Sequence, residues 1–317
     1  MKILVPFNDE KFLPAFLDSG AEEFYMGFYD EAWTEQFGKY SDINRLTLFK
    51  DTANRYTIGD AGRIAETLHE NGASLYITMN APGYSMEQLE WIGGFLKILG
   101  GFKVDGVITS VPEMIPMIRN EGMKAVASTM CGIMNRDLAG WYRKQGMQRI
   151  ILPRELTSVE IADVIRAEPQ LEYEVFFMRN GCHYADFNCL GMHGGEKGAL
   201  CYSIRHGDAG ILARDPSFQE RMAGTHRSFC TEFHAFACGQ CAVYRFMEMG
   251  VSALKIVGRL DDMEEVLTDI RLTAANIQIA SQCSSEEEYF QYMQLPGDPV
   301  TYCNKGYSCY YPEVRWG

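Results

Sequence analysis

The stretch CHYADFNC, from Cys182 to Cys189, sets two thiols in C-x6-C spacing, and CGQC, from Cys238 to Cys241, sets two more in C-x-x-C spacing. Cys201 and Cys230 fall between them, with His183, His193, His206, His226 and His234; only His69 lies elsewhere. Cysteine used as core filler would scatter over strands and helices, whereas here it concentrates in one segment, which favours ligation. Four thiolates hold tetrahedral zinc or an iron–sulfur cluster. A structural zinc site usually draws on two tight C-x2–4-C pairs, and only one is present. Ligands spread along a wrapped segment suit an iron–sulfur cluster, so about four of Cys182, Cys189, Cys201, Cys230, Cys238 and Cys241 are expected to hold one. Zinc is the alternative, and buried thiols without metal are the third reading. Most of the histidines are expected to be solvated or hydrogen-bonded. Cys303 and Cys309 are expected to pack nearby without ligating.

The rest of the chain must position this segment. Short apolar runs, each followed by a helical pattern, predict strands at Lys2–Phe7, Glu23–Phe28, Ser74–Asn80, Gly106–Val111, Lys124–Thr129, Arg149–Arg154, Tyr173–Met178 and Ala253–Arg259. Nearly continuous hydrophobicity implies cover on both strand faces. Eight alternations predict a closed (β/α)8 barrel, an α/β fold that uses about 250 residues. Capping boxes are predicted at Thr157–Glu160 and Ser284–Glu287. Two segments break the alternation: Tyr29–Asp60 after the second strand, and the Cys/His-rich Arg179–Gln240 after the seventh. A long insertion at the C-terminal side of a barrel strand lies where barrel active sites are built. The expected organisation is a barrel over 1–282, a metal-binding insertion at 179–240, and a C-terminal helix and irregular cap over 283–317.

Strand ends on that same face point to Asn80, Ser128, Asn135, Arg154, Glu155, Lys255 and Arg259. Arg154, Glu155, Lys255 and Arg259 are the catalytic candidates. Arg154 and Arg259 have the geometry to clamp a carboxylate or phosphate, or else to pair with loop carboxylates. Glu155 is a candidate acid/base. Glu174, inside the seventh strand, needs a partner, and Lys255 on the next strand is the expected one. The net charge of −13 weighs against broad binding to phosphate backbones and favours a small-molecule substrate over RNA. The opening MKILVPFNDEKF has no signal-peptide pattern, and no apolar run is long enough for a membrane span, so a cytoplasmic location is expected. Assembly as a homo- or hetero-oligomer is left open.

Several segments, in order, resemble the peptidase U32 family. LVPFNDEKFLPAFLDSGAEEFYMG is similar to its opening strand, helix and strand, and STMCGIMN to its ST-Q-x-x-x-x-N segment. LPRELTSVEI, YEVFFMRNGCHYADFNC and GVSALKIVGR resemble its L-x-RELS-x-x-EI, E-x-F-x-x-G-x-x-C and G-V-x-S-x-KIEGR segments. Some members of that family hold a [4Fe–4S] cluster on four cysteines and support oxygen-independent hydroxylation of ubiquinone precursors or RNA bases. The resemblance implies that Cys182 and Cys189 are the first two ligands and Cys201 the third, with Cys230, Cys238 and Cys241 all placed for the fourth. Arg179 stands at the signature's glycine position, with the glycine at Gly181, Met130 replaces a polar amide, and Val257 the usual carboxylate, which points to a distinct subfamily. The implied activity is an iron–sulfur-dependent hydroxylation or related redox step on a small molecule or nucleobase. A metal-dependent peptidase or hydrolase, as the family name says, and a non-catalytic metal-stapled subunit are the alternatives.

Overall fold

The computed structural model describes residues 1–38, 42–46, 52–182, 184–189, 236–297, 303 and 308–315. Cys201, Cys230 and the five clustered histidines lie outside them. The eight expected strands are all present, as β1 (Lys2–Pro6), β2 (Glu23–Met26), β3 (Ser74–Met79), β4 (Gly106–Thr109), β5 (Lys124–Ala127), β6 (Arg149–Ile151), β7 (Glu172–Met178) and β8 (Ala253–Ile256). They close in sequence order into a parallel barrel, with β1 pairing both β2 and β8. Seven of the eight end before the apolar runs that predicted them. The reason is functional geometry: Asn80, Ser128, Arg154 and Arg259 leave the ladder and form the rim.

Helices fill the crossovers and bury one face each. Ile58–Glu70 inserts Ala61, Ile64, Ala65 and Leu68, an i, i+3, i+4, i+7 stripe, and begins at a Thr57–Asp60 capping box. The Thr157–Glu160 box caps Ser158–Ala167 as expected. The second expected box is shifted by one residue. Ser285 caps Glu286–Tyr292 by accepting from Glu288 N–H, while the Glu288 carboxylate accepts from the N–H and hydroxyl of Ser284. The i to i+3 spacing holds, but the helix starts one residue later.

The barrel lumen is not wholly apolar. Arg149, 1% exposed, reaches across from β6 to Glu23 on β2 (2.6 Å) and sideways to Glu174 on β7 (3.2 Å). Lys255 on β8 closes the other side of Glu174 at 2.6 Å and sits 4.1 Å from the Tyr25 ring. The expected Glu174–Lys255 pair is therefore present, as one edge of a four-charge network. The Arg149–Glu23 contact is a close ion pair whose N–H direction misses hydrogen-bond alignment. Burial works against the Lys255 ammonium, and despite Glu174 its proton affinity lies below the ordinary lysine value. Two cations facing two carboxylates make the lumen neutral, which is how buried charge is tolerated.

Candidate active site at the barrel mouth

Just past the strand ends, a second polar layer covers the lumen. Arg259 follows β8 and is 7% exposed. Its Nη1 donates to Thr78 Oγ1 (3.2 Å) and Asn54 Oδ1 (3.3 Å), and its carbonyl accepts from Asn8 Nδ2 (2.6 Å). None of the ion pairs among the described residues gives it a carboxylate. Burial therefore pulls its guanidinium down to about 10, with nearby Arg45 adding to the effect. A cation this buried and uncompensated is a strong local attractor for an anion.

Arg154 follows β6 and stacks 3.7 Å from the Phe176 ring centroid. It forms an ion pair with Asp186, which also accepts from Arg45 Nη1 (2.8 Å) and Thr129 Oγ1 (3.2 Å). Burial opposes the Arg154 charge, but Asp186 and Tyr310 outweigh it and hold the guanidinium above its ordinary value. Arg45 Nε and Nη2 and Arg154 Nε are buried without a hydrogen-bond partner among the described residues. Two buried guanidiniums thus share the Asp186 carboxylate, and Arg259 lies near Arg45. Asn80 joins the layer by donating to Ser128 Oγ (3.3 Å) and accepting from Arg45 N (3.4 Å). A cleft lined by Asp30, Asn54, Arg55 and Tyr56 opens beside it and shares Asn54.

The excursion after β2 supplies Asn44, Arg45 and Asn54, so its departure from the barrel alternation is explained by what it carries. Gly27 leaves it the room. A Cβ there would stand 2.5 Å from Arg259 Nη1 and 2.7 Å from Asn44 Nδ2, and closer still to Asn54 Oδ1. Gly27→Ala is expected to cost about 1–3 kcal/mol through overpacking. It should lower the anion affinity of the mouth more than it lowers the melting temperature. Calorimetric titration with inorganic phosphate beside a thermal melt checks this; unchanged phosphate binding would contradict it.

The thiols begin where β7 ends. Arg179 (φ 61°) and Asn180 (φ 47°) take left-handed backbone, the conformation glycine adopts most cheaply, at the position where the family signature has glycine. Arg179 is held there by ion pairs to Asp269 and to Glu265 (2.6 Å), and Asn180 by Asp261 (2.7 Å). The turn presents Cys182, which interacts electrostatically with Arg154 and Tyr310. Asp186 opens the short helical turn Asp186–Asn188 that delivers the buried Cys189. One carboxylate therefore fixes both the arginines and the thiol-bearing turn.

Other expected residues sit elsewhere. Lys255 lies within the lumen network, Asn135 caps the helix Arg136–Gln145, and Glu155 is exposed on the rim with its carboxyl raised by partial desolvation and by Asp186. Burial pushes the Cys131 thiol up to about 12, which leaves it unreactive. Sequence reasoning missed Asp186, Arg45, Asn44 and Asn54. The signal for Asp186 was its place between the two cysteines of CHYADFNC.

The model for peptidase family U32 matches residues 10–316. The chain belongs to that family. Among relatives of this U32 chain, tRNA hydroxylation protein P1 of Bacillus subtilis (strain 168) is 24% identical over 253 residues, covering 76% of the chain and 57% of the relative. The tRNA hydroxylation protein P of Helicobacter pylori (strain J99 / ATCC 700824) is 22% identical over 275 residues, covering 82% and 60%. The chain thus spans a little under two thirds of these relatives' own lengths. Among solved structures, the U32 peptidase Mk0906 aligns with 13% identity and a TM-score of 0.43, over 56% of this chain and 69% of that one. Among the described residues, no helix is long and apolar enough to cross a membrane.

Proposed function

We propose that this U32 chain serves the hydroxylation of a tRNA base, bound at the barrel mouth beside a thiolate-held [4Fe–4S] cluster. The observation that carries this reading is the buried pair Arg45 and Arg154, which share the carboxylate of Asp186 near Cys182, with Arg259 buried near Arg45 and given no carboxylate by the ion pairs of the described residues. A base with its flanking phosphate offers the anion that such a pocket lacks, and the relatives named for tRNA hydroxylation give the substrate class. The net charge of −13 sets the bulk surface against a phosphate backbone, so recognition rests on this local pocket. The sequence expectation of a small-molecule substrate yields to an RNA base for this reason, and a small anion bound without RNA is the competing outcome.

The described residues fit a cluster as far as they reach. Cys182 and Cys189 are thiols at the C-terminal face, one beside a guanidinium and one buried. Bound there with Cys201 and a fourth cysteine, the cluster would supply one-electron chemistry. Arg154 and Asp186 would orient the substrate, and the packed rim would keep water from it.

The test is restoration of hydroxylated nucleosides, read by mass spectrometry of total tRNA, in a host whose own tRNA-hydroxylating gene is deleted. The chain is expected to restore them and its Cys182→Ser variant to restore none. Anaerobically purified chain should carry about four irons, lost in that variant. Unmodified tRNA, with the small-anion pocket still binding phosphate, would overturn the RNA reading.

A further inference from the structure

The C-terminal tail reaches the barrel mouth and is anchored there on both sides of Tyr310. Beyond it, around the helical turn Pro312–Val314, the Tyr311 ring meets Phe246 edge-on at 4.7 Å and the Tyr311 hydroxyl donates to Phe176 O (2.7 Å). Val314 is buried, and the Glu313 carboxylate accepts from Ser158 N (2.6 Å). Before it, the backbone pairs with Cys238, whose N donates to Ser308 O (2.7 Å) and whose carbonyl accepts from Tyr310 N (2.9 Å). These ties fix the place of Tyr310, which is 4% exposed.

Two contacts put Tyr310 in the site rather than beneath it. Its hydroxyl donates to the carbonyl of Arg179 (2.5 Å), the first left-handed residue of the turn that presents Cys182. Its ring stacks on Phe176, with 6.4 Å between centroids and 22° between planes, and Phe176 is the ring against which Arg154 is held at 3.7 Å. The phenol is also hydrogen-bonded to the Arg154 guanidinium. A buried tyrosine hydroxyl needs partners, and because it both donates and accepts it can join two groups. Here it joins the carbonyl of the thiol-bearing turn to the guanidinium that pairs with Asp186. Left-handed backbone at Arg179 and Asn180 is costly for residues other than glycine, so the turn needs holding from outside. Asp269, Glu265 and Asp261 hold its side chains, and Tyr310 holds its backbone.

We propose that Tyr310 is a positioning residue of the site. It orients Arg154 for a bound anion and holds the turn that carries Cys182, so the tail completes the barrel mouth instead of capping the fold. Arg154 Nε has no partner among the described residues, which leaves the oriented guanidinium a donor for the ligand. Phosphate is the anion chemistry that fits, and naming it as a phosphate of the tRNA substrate rests on the proposed function. Side chains held by a second layer of packed and hydrogen-bonded groups keep the geometry that binding and rate depend on.

Tyr310→Phe removes one oxygen and keeps the ring on Phe176 and every backbone tie. Tyr311→Phe is the matched control: that ring is also 4% exposed and its hydroxyl is also given to a backbone carbonyl, but the carbonyl belongs to β7 and not to the turn. Calorimetric titration of the full-length chain and both variants with inorganic phosphate, beside thermal melts, separates positioning from packing. Tyr310→Phe is expected to weaken phosphate binding about tenfold, the effect of one well-made hydrogen bond. Tyr311→Phe should lower the melting temperature as much and leave phosphate binding within about twofold of the wild type. Equal losses of affinity in the two variants would make Tyr310 a packing residue and overturn its role at the site. Unchanged affinity in Tyr310→Phe, or a wild type that binds no phosphate, would overturn it as well. Should Tyr310→Phe be insoluble, fluorine NMR of a chain carrying fluorotyrosine at position 310 alone decides. A resonance that moves as phosphate is added supports the role, and one that stays in place overturns it. Affinity lost in Tyr310→Phe while the wild type hydroxylates no tRNA would sink the proposed function and leave Tyr310 its role. Hydroxylation by the wild type with phosphate binding unaltered in Tyr310→Phe would do the reverse.

Discussion

Arg149→Met is expected to lower the unfolding free energy by about 3–5 kcal/mol, the cost of stranding a buried charge partner. The side chain is 1% exposed and serves Glu23, Glu174 and the Tyr76 hydroxyl (3.1 Å) at once. Methionine fills most of the volume, so the loss reports charge rather than a cavity. Burial pushes the Glu23 carboxyl up, but Arg149 and Lys2 outweigh it and hold it below the ordinary value of 4.5. A lowered folded value means that the stability from Glu23 is present above its unfolded value and is lost as pH falls through the folded one. The wild type should therefore weaken on acidification below pH 4.5. The variant, which has already lost the pair, should show less of that slope. Urea unfolding at neutral and acidic pH measures both. A loss under about 1 kcal/mol with an unchanged slope would mean that water reaches the lumen and screens the network.

Asp186→Asn should have the largest effect on function. The carboxylate is 4% exposed and is the only partner that the ion pairs of the described residues give to both Arg45 and Arg154. Asparagine keeps the shape and the bond from Thr129 but takes the carboxylate from both Arg45 and Arg154. Removing one member of such a buried set costs about 3–5 kcal/mol locally. The strain falls on the turn Asp186–Asn188, and so on the placement of Cys189. Displacing a reacting group by about 1 Å costs on the order of a hundredfold in rate. The expected outcome is tRNA hydroxylation reduced about a hundredfold, with partial loss of iron. Nucleoside mass spectrometry and iron analysis of one preparation read both. Wild-type hydroxylation would show that the arginines do not need Asp186 to hold the site.

The barrel itself was legible in the sequence because each strand is buried on both faces. KILVP, SLYITM and EYEVFFM read as continuous apolar runs, and the helix stripes between them repeat at helical spacing. The sequence also placed Arg154 and Cys182 after strand ends, where a parallel barrel opens its C-terminal face, and the structure puts them there. Lys255 was the misleading candidate. Local pattern marks it as polar near a strand end, but it is the third residue of β8 and points at Glu174 in the lumen. A polar residue two positions from a rim reads the same way whether its side chain turns inward or out.

The sequence by itself determined the α/β barrel and the family, because burial and periodicity are written in local patterns. Only the tertiary structure decided which groups meet. It brought Arg45 from the excursion after β2 to Asp186, set Arg259 against Asn54 and Thr78, and laid Cys309 of the tail beside Cys238. Those contacts join residues 141, 205, 181 and 71 positions apart in the chain. Closing a barrel of parallel strands is what makes such separations short in space, and no window of sequence spans them.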